Sequence, residues 1–463
     1  MTKQQRLVLA IAILGSFVAF LDGSVVNVAL PAISRELGGA LTTQQWVVDA
    51  YLITLGSLIL VAGSLSDVFG RITVLRFGLI GFGVTSLLCA MAPGAEFLIV
   101  SRGLQGIAGA LLVPSSLALI MSNFRGVAQG KAIGSWTGWT SVAFLVGPLI
   151  GGAFVDLVSW RLVFAINVLP IAITLWLLVI LRQHDVREKG ASVDYLGAVL
   201  AVIGIGGPVY ALIEQGHHGW GSPAIFLPMA IGIIAFAAFL WRQRVAASPM
   251  MPLGLFRVRN FTVGNLATTA IYGALSLGGF LVVVFLQQVG GYSATMAAVA
   301  VLPPTIILML LSTYFGTLSA RFGPRVFMTV GPILGGVGYL LMLGITAEVN
   351  YWTQLLPGVL IFGLGLTITV APLTAAILGA ISERQAGIGS AINNAVARVA
   401  GLVAIAMLGI ITGTNLDVAG FHRGLIVTAA LFILGGVISA IGIRNVAKEP
   451  SAAPTPEPAA PAA

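Results

Sequence analysis

The chain has 463 residues, 58% of them hydrophobic and only 8% charged, and its mean hydropathy is +1.03. A water-facing surface needs far more charge, so the composition excludes a soluble globular protein and points to a chain that crosses a membrane many times. The net charge of +8 does not indicate nucleic acid, because the basic residues stand singly between apolar runs, where they read as topology signals.

Fourteen apolar segments are long enough to span, at about 1.5 Å rise per residue. In order they cover 7–31, 43–65, 72–92, 96–121, 130–156, 161–181, 194–214, 223–241, 260–286, 294–316, 325–345, 352–380, 386–412 and 422–443. The first is too long for a cleavable signal and carries Asp22. A carboxylate near mid-span costs roughly 2.5–3.5 kcal/mol on insertion scales, which makes Asp22 a functional candidate, with a structural ion pair as the plainer reading. Cys89, the single cysteine, can form no internal disulfide, and His184, His217, His218 and His422 lie in loops or at segment edges, so no metal site is expected. The Pro- and Ala-rich end, 447–463, is expected to be disordered. With the N-terminus inside, eighteen Lys and Arg fall on the cytoplasmic side and three outside, while Arg102 and Arg398 lie within spans. That bias places both termini in the cytoplasm.

An internal repeat divides the chain. Gly63–Arg71 joins spans two and three, and Gly316–Gly323 joins spans ten and eleven 253 residues later, with five of the first eight positions identical. Two parallel six-span units follow, with two further spans between them. The expected partition is 1–185, 186–250, 251–446 and the tail 447–463. Parallel repeats of this kind are a transporter architecture, with the substrate held between the halves.

Four motifs, each weak alone, occur in order at matching spans: Leu21-Asp22 through Pro31, Gly63–Arg71, Arg102-Gly103-Leu104-Gln105-Gly106, and Gly147-Pro148-Leu149-Ile150-Gly151-Gly152. With them the chain resembles the major facilitator superfamily, in its fourteen-span branch of proton-driven drug exporters, from about residue 6 to 444. Ser24 stands where Thr is usual, Ile72 where a second basic residue is usual, and Ala320 replaces the acid in the second loop copy. The resemblance implies an all-α membrane fold of two six-helix bundles plus two extra central helices, proton-coupled export, no cofactor, and a proton-coupling role for Asp22 and Arg102.

Counted from the outer ends, Asp22, Asp49 and Arg102 reach depths that agree within roughly 6 Å. Low dielectric disfavours a charged carboxylate and a nearby guanidinium favours it, an opposition suited to a proton carrier. Asp49, nearer the water, also reads as a solvated residue. Around Gly63, Asp67, Gly70 and Arg71 the expectation is a tight turn that doubles as a latch, with Asp67 near a helix start and able to pair with a helix N-terminus or a base of the other half. Gly134, Gly138, Gly147, Gly151 and Gly152, with Pro148, are expected to allow close helix approach and a kink in span five. Asn27, Gln105, Asn393, Asn394 and Arg398 are candidate cavity residues, although helix contacts explain the amides equally well. Trp46, Trp160, Trp220 and Trp352 read as interface anchors.

The leading expectation is a bacterial inner-membrane exporter of small amphipathic compounds, acting as a monomer with protons as co-substrate; an envelope adaptor is left open. Export of a lipid or cell-envelope metabolite on the same scaffold is the alternative, and an intramembrane enzyme the distant one. No paired catalytic aspartates, His-Glu metal motif or Gly-x-x-x-x-Gly-Lys-Ser/Thr phosphate loop occurs. Because the acids within spans belong to the first half, the substrate is expected to be neutral, monocationic or weakly anionic, not dicationic.

Overall fold

The computed structural model describes all residues except 182–184, 186, 188–191, 383–384, 414–415 and 446–463, with only the backbone described at Val127. The expected disordered tail therefore lies outside the described residues. Fourteen helical segments are long and apolar enough to cross a membrane, and no strand occurs among the described residues.

Spans one to five are single helices: α1 (Lys3–Leu37), α2 (Ala40–Phe69), α3 (Arg71–Ala90), α4 (Ala95–Asn123) and α5 (Gly126–Leu157). Span six is divided into α6 (Leu162–Ala165) and α7 (Val168–Leu181), and the central spans are α8 (Tyr195–His218) and α9 (Pro223–Val245). Then come α10 (Arg259–Gln288), span ten as α11 (Ala294–Ala300) and α12 (Pro303–Phe322), α13 (Pro324–Leu341) and α14 (Leu356–Leu378). Span thirteen follows as α15 (Ala386–Ala406) and α16 (Leu408–Thr412), and α17 (Val418–Gly442) ends the series.

Span ten, expected to be continuous, is broken. Pro303 and Pro304 open α12, and Pro303 has no N–H with which to continue α11. Helices of spans one to six pack mainly on each other (α2 on α4, α1 on α5, α3 on α4), as do those of spans nine to fourteen (α13 on α14 and α17, α10 on α15 and α17). The α8–α9 hairpin lies against α2 and touches α15, beside the junction of the two units. Large apolar side chains such as Phe77, Leu310 and Ile441 face outward, the surface that lipid covers.

The repeat seen in the sequence returns as a repeated cap. Gly70 and Gly323 take φ of 98° and 86°, left-handed values that favour glycine. Beyond Gly70, the backbone N–H groups of Ile72 and Thr73 donate to the Asp185 carboxylate at 3.1 and 2.8 Å. Beyond Gly323, the Arg325 N–H donates to Asn445 Oδ1 at 3.1 Å. A Cβ on either glycine would strike its capping side chain.

The two units meet unequally at their two ends. Away from the Gly63–Arg71 turn, Gln45 Nε2 donates to Ile405 O (2.7 Å) and Gln287 Nε2 to Val28 O (3.0 Å). At the same end the Asp156 carboxylate accepts from the N–H groups of Ala294 (3.0 Å) and Thr295 (2.8 Å) at the start of α11. Toward the Gly63–Arg71 turn the units part around a cavity of about 370 Å³, walled by Ile59, Gly63, Asp67 and Pro114 on one side and Gly387 and Asn394 on the other.

Candidate functional site

The centre of the first unit is a buried polar network. Gly106 lets α4 approach α2 closely, because a Cβ there would lie 3.1 Å from the Tyr51 carbonyl carbon, and Thr54 Oγ1 donates to Gly103 O at 2.8 Å. This seating puts the Arg102 guanidinium over the Tyr51 ring, 4.3 Å from its centroid. Arg102 Nη1 donates to Asp22 Oδ2 and to Gln105 Oε1, both at 2.6 Å, and its Nε donates to Val47 O at 3.0 Å. The other Asp22 oxygen accepts from Gln105 Nε2 and from Asn167 Nδ2, each at 3.1 Å. Ser86 Oγ takes a further bond from Gln105 at 2.9 Å. Asp22 is 0% exposed and Arg102 2%, so the pair sits in low dielectric with every carboxylate oxygen satisfied.

Two of these partners, Asn167 and Ser86, escaped the sequence reading. Their only signal is one polar residue (Asn167) or two adjacent ones (Thr85 and Ser86) inside an apolar run. Gln105 belongs to this network and lines none of the cavities of about 370, 250 and 110 Å³, so of its two readings the structure shows the helix contact. Asp49 stands apart. It is fully buried, not solvated, and neither carboxyl oxygen has a partner among the described residues. Depth along a helix does not fix the face a side chain takes, and Asp49 lies on a different face of α2 from Tyr51.

Span five carries its glycines to real contacts. A Cβ on Gly147 would meet Ser24, one on Gly151 would meet Val25, and one on Gly152 would lie 2.7 Å from Thr295 Cα in the other unit. Ser24 Oγ lies 3.0 Å from Ala143 O, adding a polar tie between α1 and α5. Gly134 and Gly138 have nothing within contact range, so close approach is confined to the second half of the helix. Pro148 lines an apolar cavity of about 250 Å³ between the units, together with Asn27, Phe144, Tyr339 and Phe362.

The loop residues are placed differently from expectation. Asp67 occupies the last turn of α2, where carbonyls, not N–H groups, are free, and pairs with Arg71 at 3.7 Å. The acid on the N-terminus of α3 is Asp185. In the second unit, Asn394 faces the larger cavity, whereas Asn393 is turned inward, its Nδ2 donating to Asn265 Oδ1 (3.2 Å) and Thr268 Oγ1 (2.9 Å). Asn393 is thus a helix contact between α10 and α15. Trp160 is buried and donates to Glu36 Oε2 at 2.6 Å, so it is no interface anchor, while Trp220 and Trp352 are exposed.

The family model described as Major Facilitator Superfamily matches residues 12–405. The chain belongs to the major facilitator superfamily. Among its curated relatives is the methylenomycin A resistance protein of Bacillus subtilis, 34% identical over 87% of this chain and 87% of that one. The multidrug resistance protein Stp of Mycobacterium tuberculosis and the tetracenomycin C resistance and export protein of Streptomyces glaucescens are each 32% identical over 88% of this chain and 76% of theirs. Solved structures share the fold at low identity. A POT family transporter in complex with 5-aminolevulinic acid aligns with a TM-score of 0.71 at 13% identity, covering 94% of this chain and 95% of that one. The D-xylose–proton symporter aligns at 0.67 and 14%, covering 95% and 98%. This major facilitator protein is a multi-pass membrane transporter and not an enzyme, and its central cavities lie between its two six-span units, where transporters of parallel-repeat design hold their cargo.

Proposed function

We propose that the protein is a proton-coupled exporter of small amphipathic compounds, working by alternating access in a bacterial cytoplasmic membrane, with both termini cytoplasmic, no cofactor and one chain as the working unit. The observation that carries the reading is the buried Asp22–Arg102 pair at 2.6 Å, locked by Gln105 and Asn167. Protonating Asp22 removes one charge of the pair and leaves Arg102 uncompensated in low dielectric, so the two protonation states favour different packings of the first unit. Asp49, a carboxyl group buried without a partner, is a second proton site. The six-span units move as halves about the cavities between them, with the contacts of Asp156, Gln45 and Gln287 closing the outer end.

The relatives named for methylenomycin A, tetracenomycin C and multidrug resistance support export of toxic small molecules as the direction and cargo class. Asp67, which lines the cavity of about 370 Å³, and Arg71, its ion-pair partner, form the latch of the cytoplasmic end. The test is purified protein in liposomes with an imposed pH gradient, screened for compound-dependent proton flux. Wild type gives flux with amphipathic drugs, and Asp22→Asn gives none while retaining its melting transition. Undiminished flux in that variant removes Asp22 from the mechanism.

A further inference from the structure

A third, smaller cavity of about 110 Å³ lies between the units and is lined by Asn27, Tyr51, Arg102, Ser276 and Arg398 among others. Its two guanidinium groups differ in one respect. Arg102 is neutralised by Asp22 and has further bonds to Gln105 and Val47. Arg398 makes no ion pair or hydrogen bond among the described residues. No compensation is available from its own unit, since spans nine to fourteen contain no Asp or Glu: Glu348, Glu383 and Asp417 all fall between spans. A cation at membrane depth needs a counter-charge or water, and Arg398 lines a cavity between the units.

That cavity adjoins the larger apolar one. Gly23 and Asn27 line both, and the larger is walled by Phe144, Tyr339 and Phe362. A pocket of mixed lining with one uncompensated guanidinium, beside an apolar chamber, has the chemistry of an amphipathic monoanion. The planar fork of arginine matches a carboxylate with two parallel bonds. We infer that Arg398 anchors the carboxylate of an amphipathic monoanionic substrate whose apolar body occupies the adjoining cavity. This rests on the export reading for the role of the cavity, and it narrows the substrate class from amphipathic compounds at large to those bearing one negative charge. Exchanging such an anion outward for a proton inward moves two positive charges' worth inward, so the membrane potential drives the step doubly.

The experiment measures equilibrium binding of radiolabelled 1-naphthaleneacetate and of its primary amide to the purified full chain at neutral pH, without any gradient. Wild type binds the carboxylate about tenfold or more tighter than the amide, the range of hydrogen bonds to a charged group. Arg398→Gln abolishes that preference while retaining amide binding, and Arg398→Lys keeps part of it. Equal affinity of wild type for the two probes overturns the inference, and so does a preference that survives in Arg398→Gln. The binding measurement needs no gradient, so in the wild type it is read apart from any flux. A lasting preference together with absent gradient-driven flux therefore refutes the export reading and leaves the anion site standing.

Discussion

The two six-span units share a fold but not a chemistry. In the first, charge is buried at the centre: Asp22 and Arg102 meet at 2.6 Å with two amides around them. In the second, the polar contact between α10 and α15 is neutral, built from Asn393, Asn265 and Thr268, and its one charged side chain in the spans that reaches the central cavities is Arg398. A neutral network holds helices together in every state, whereas a titratable pair changes its energy with each proton. On the proposed reading the first unit senses protons, and the second moves and meets cargo.

The strongest way to break this contrast is to make the first unit neutral. Asp22→Asn is expected to reduce gradient-driven transport to background in the liposome assay, because Asn bonds to Arg102 but carries no proton cycle. Asn393→Ala, the counterpart in the second unit, leaves Asn265 and Thr268 short of a partner, costs about 1–3 kcal/mol in stability, and leaves the pH dependence of transport unchanged. A lost pH response in Asn393→Ala would erase the division of labour.

A smaller effect is expected where the units touch. Asp156→Ala removes two charge-assisted bonds to α11, together about 1.5–3 kcal/mol, and shifts the population about tenfold or more toward states parted at that end. Spin labels on α5 and α11 in a Cys89→Ala background report the distance, and Gln287→Ala, which loses one neutral bond, shifts it less. An unchanged distance distribution in Asp156→Ala means the clasp does not set the resting state.

The repeated caps sharpen the comparison at lower energy. Asp185→Ala and Asn445→Ala should each cost about 0.5–2 kcal/mol in thermal unfolding, as N-caps do. Asp185→Asn copies the second unit's solution and should cost only about 0.3–1 kcal/mol, the share of charge at a helix N-terminus. The smallest effect concerns the central hairpin, which belongs to neither unit. Asp194 caps α8 and takes bonds from Gly197 N (3.0 Å), Arg242 Nε (3.1 Å) and Gln243 Nε2 (3.2 Å). Burial opposes its charge, but those bonds and the Arg242 charge outweigh it and hold the carboxyl below its ordinary value. Its contribution is therefore complete above the unfolded value of about 3.9 and lost as pH falls through the lower folded value. Acid melting curves of Asp194→Asn should show a shallower loss in that window.

Most of the fold was legible because hydropathy over twenty-odd residues marks a span whatever its neighbours are. Depth put Asp22, Asp49 and Arg102 at one level, and it was the family resemblance that singled out Asp22 and Arg102 among the three. Asn167, Ser86 and Asp185 were not legible, because polar residues within apolar runs and loop acids gain their roles only when other helices arrive beside them. For Asp49 and Gln105 two readings each stayed open for a related reason: depth fixes height in the membrane but not direction around the helix, and the structure excludes only the solvated Asp49 and shows Gln105 as a helix contact. The break at Pro303 lay in the sequence as a Pro-Pro pair, and hydropathy averaged across it.

The Gly152–Thr295 contact bears on speed. The surfaces that meet there are nearly bare backbone, with Thr295 Cα 2.7 Å from where a side chain would begin. Closing the Gly152 contact itself orders no long side chain, so the proposed cycle avoids there the side-chain entropy that a seam of long residues would lose, about 1.5–2 kcal/mol per Lys, Arg, Met, Gln or Glu ordered. The seam has no room for insertion: a single methyl at position 152 meets the backbone of the other unit and is expected to act as a doorstop between the two. In the proposed cycle, the glycine protects turnover more than stability.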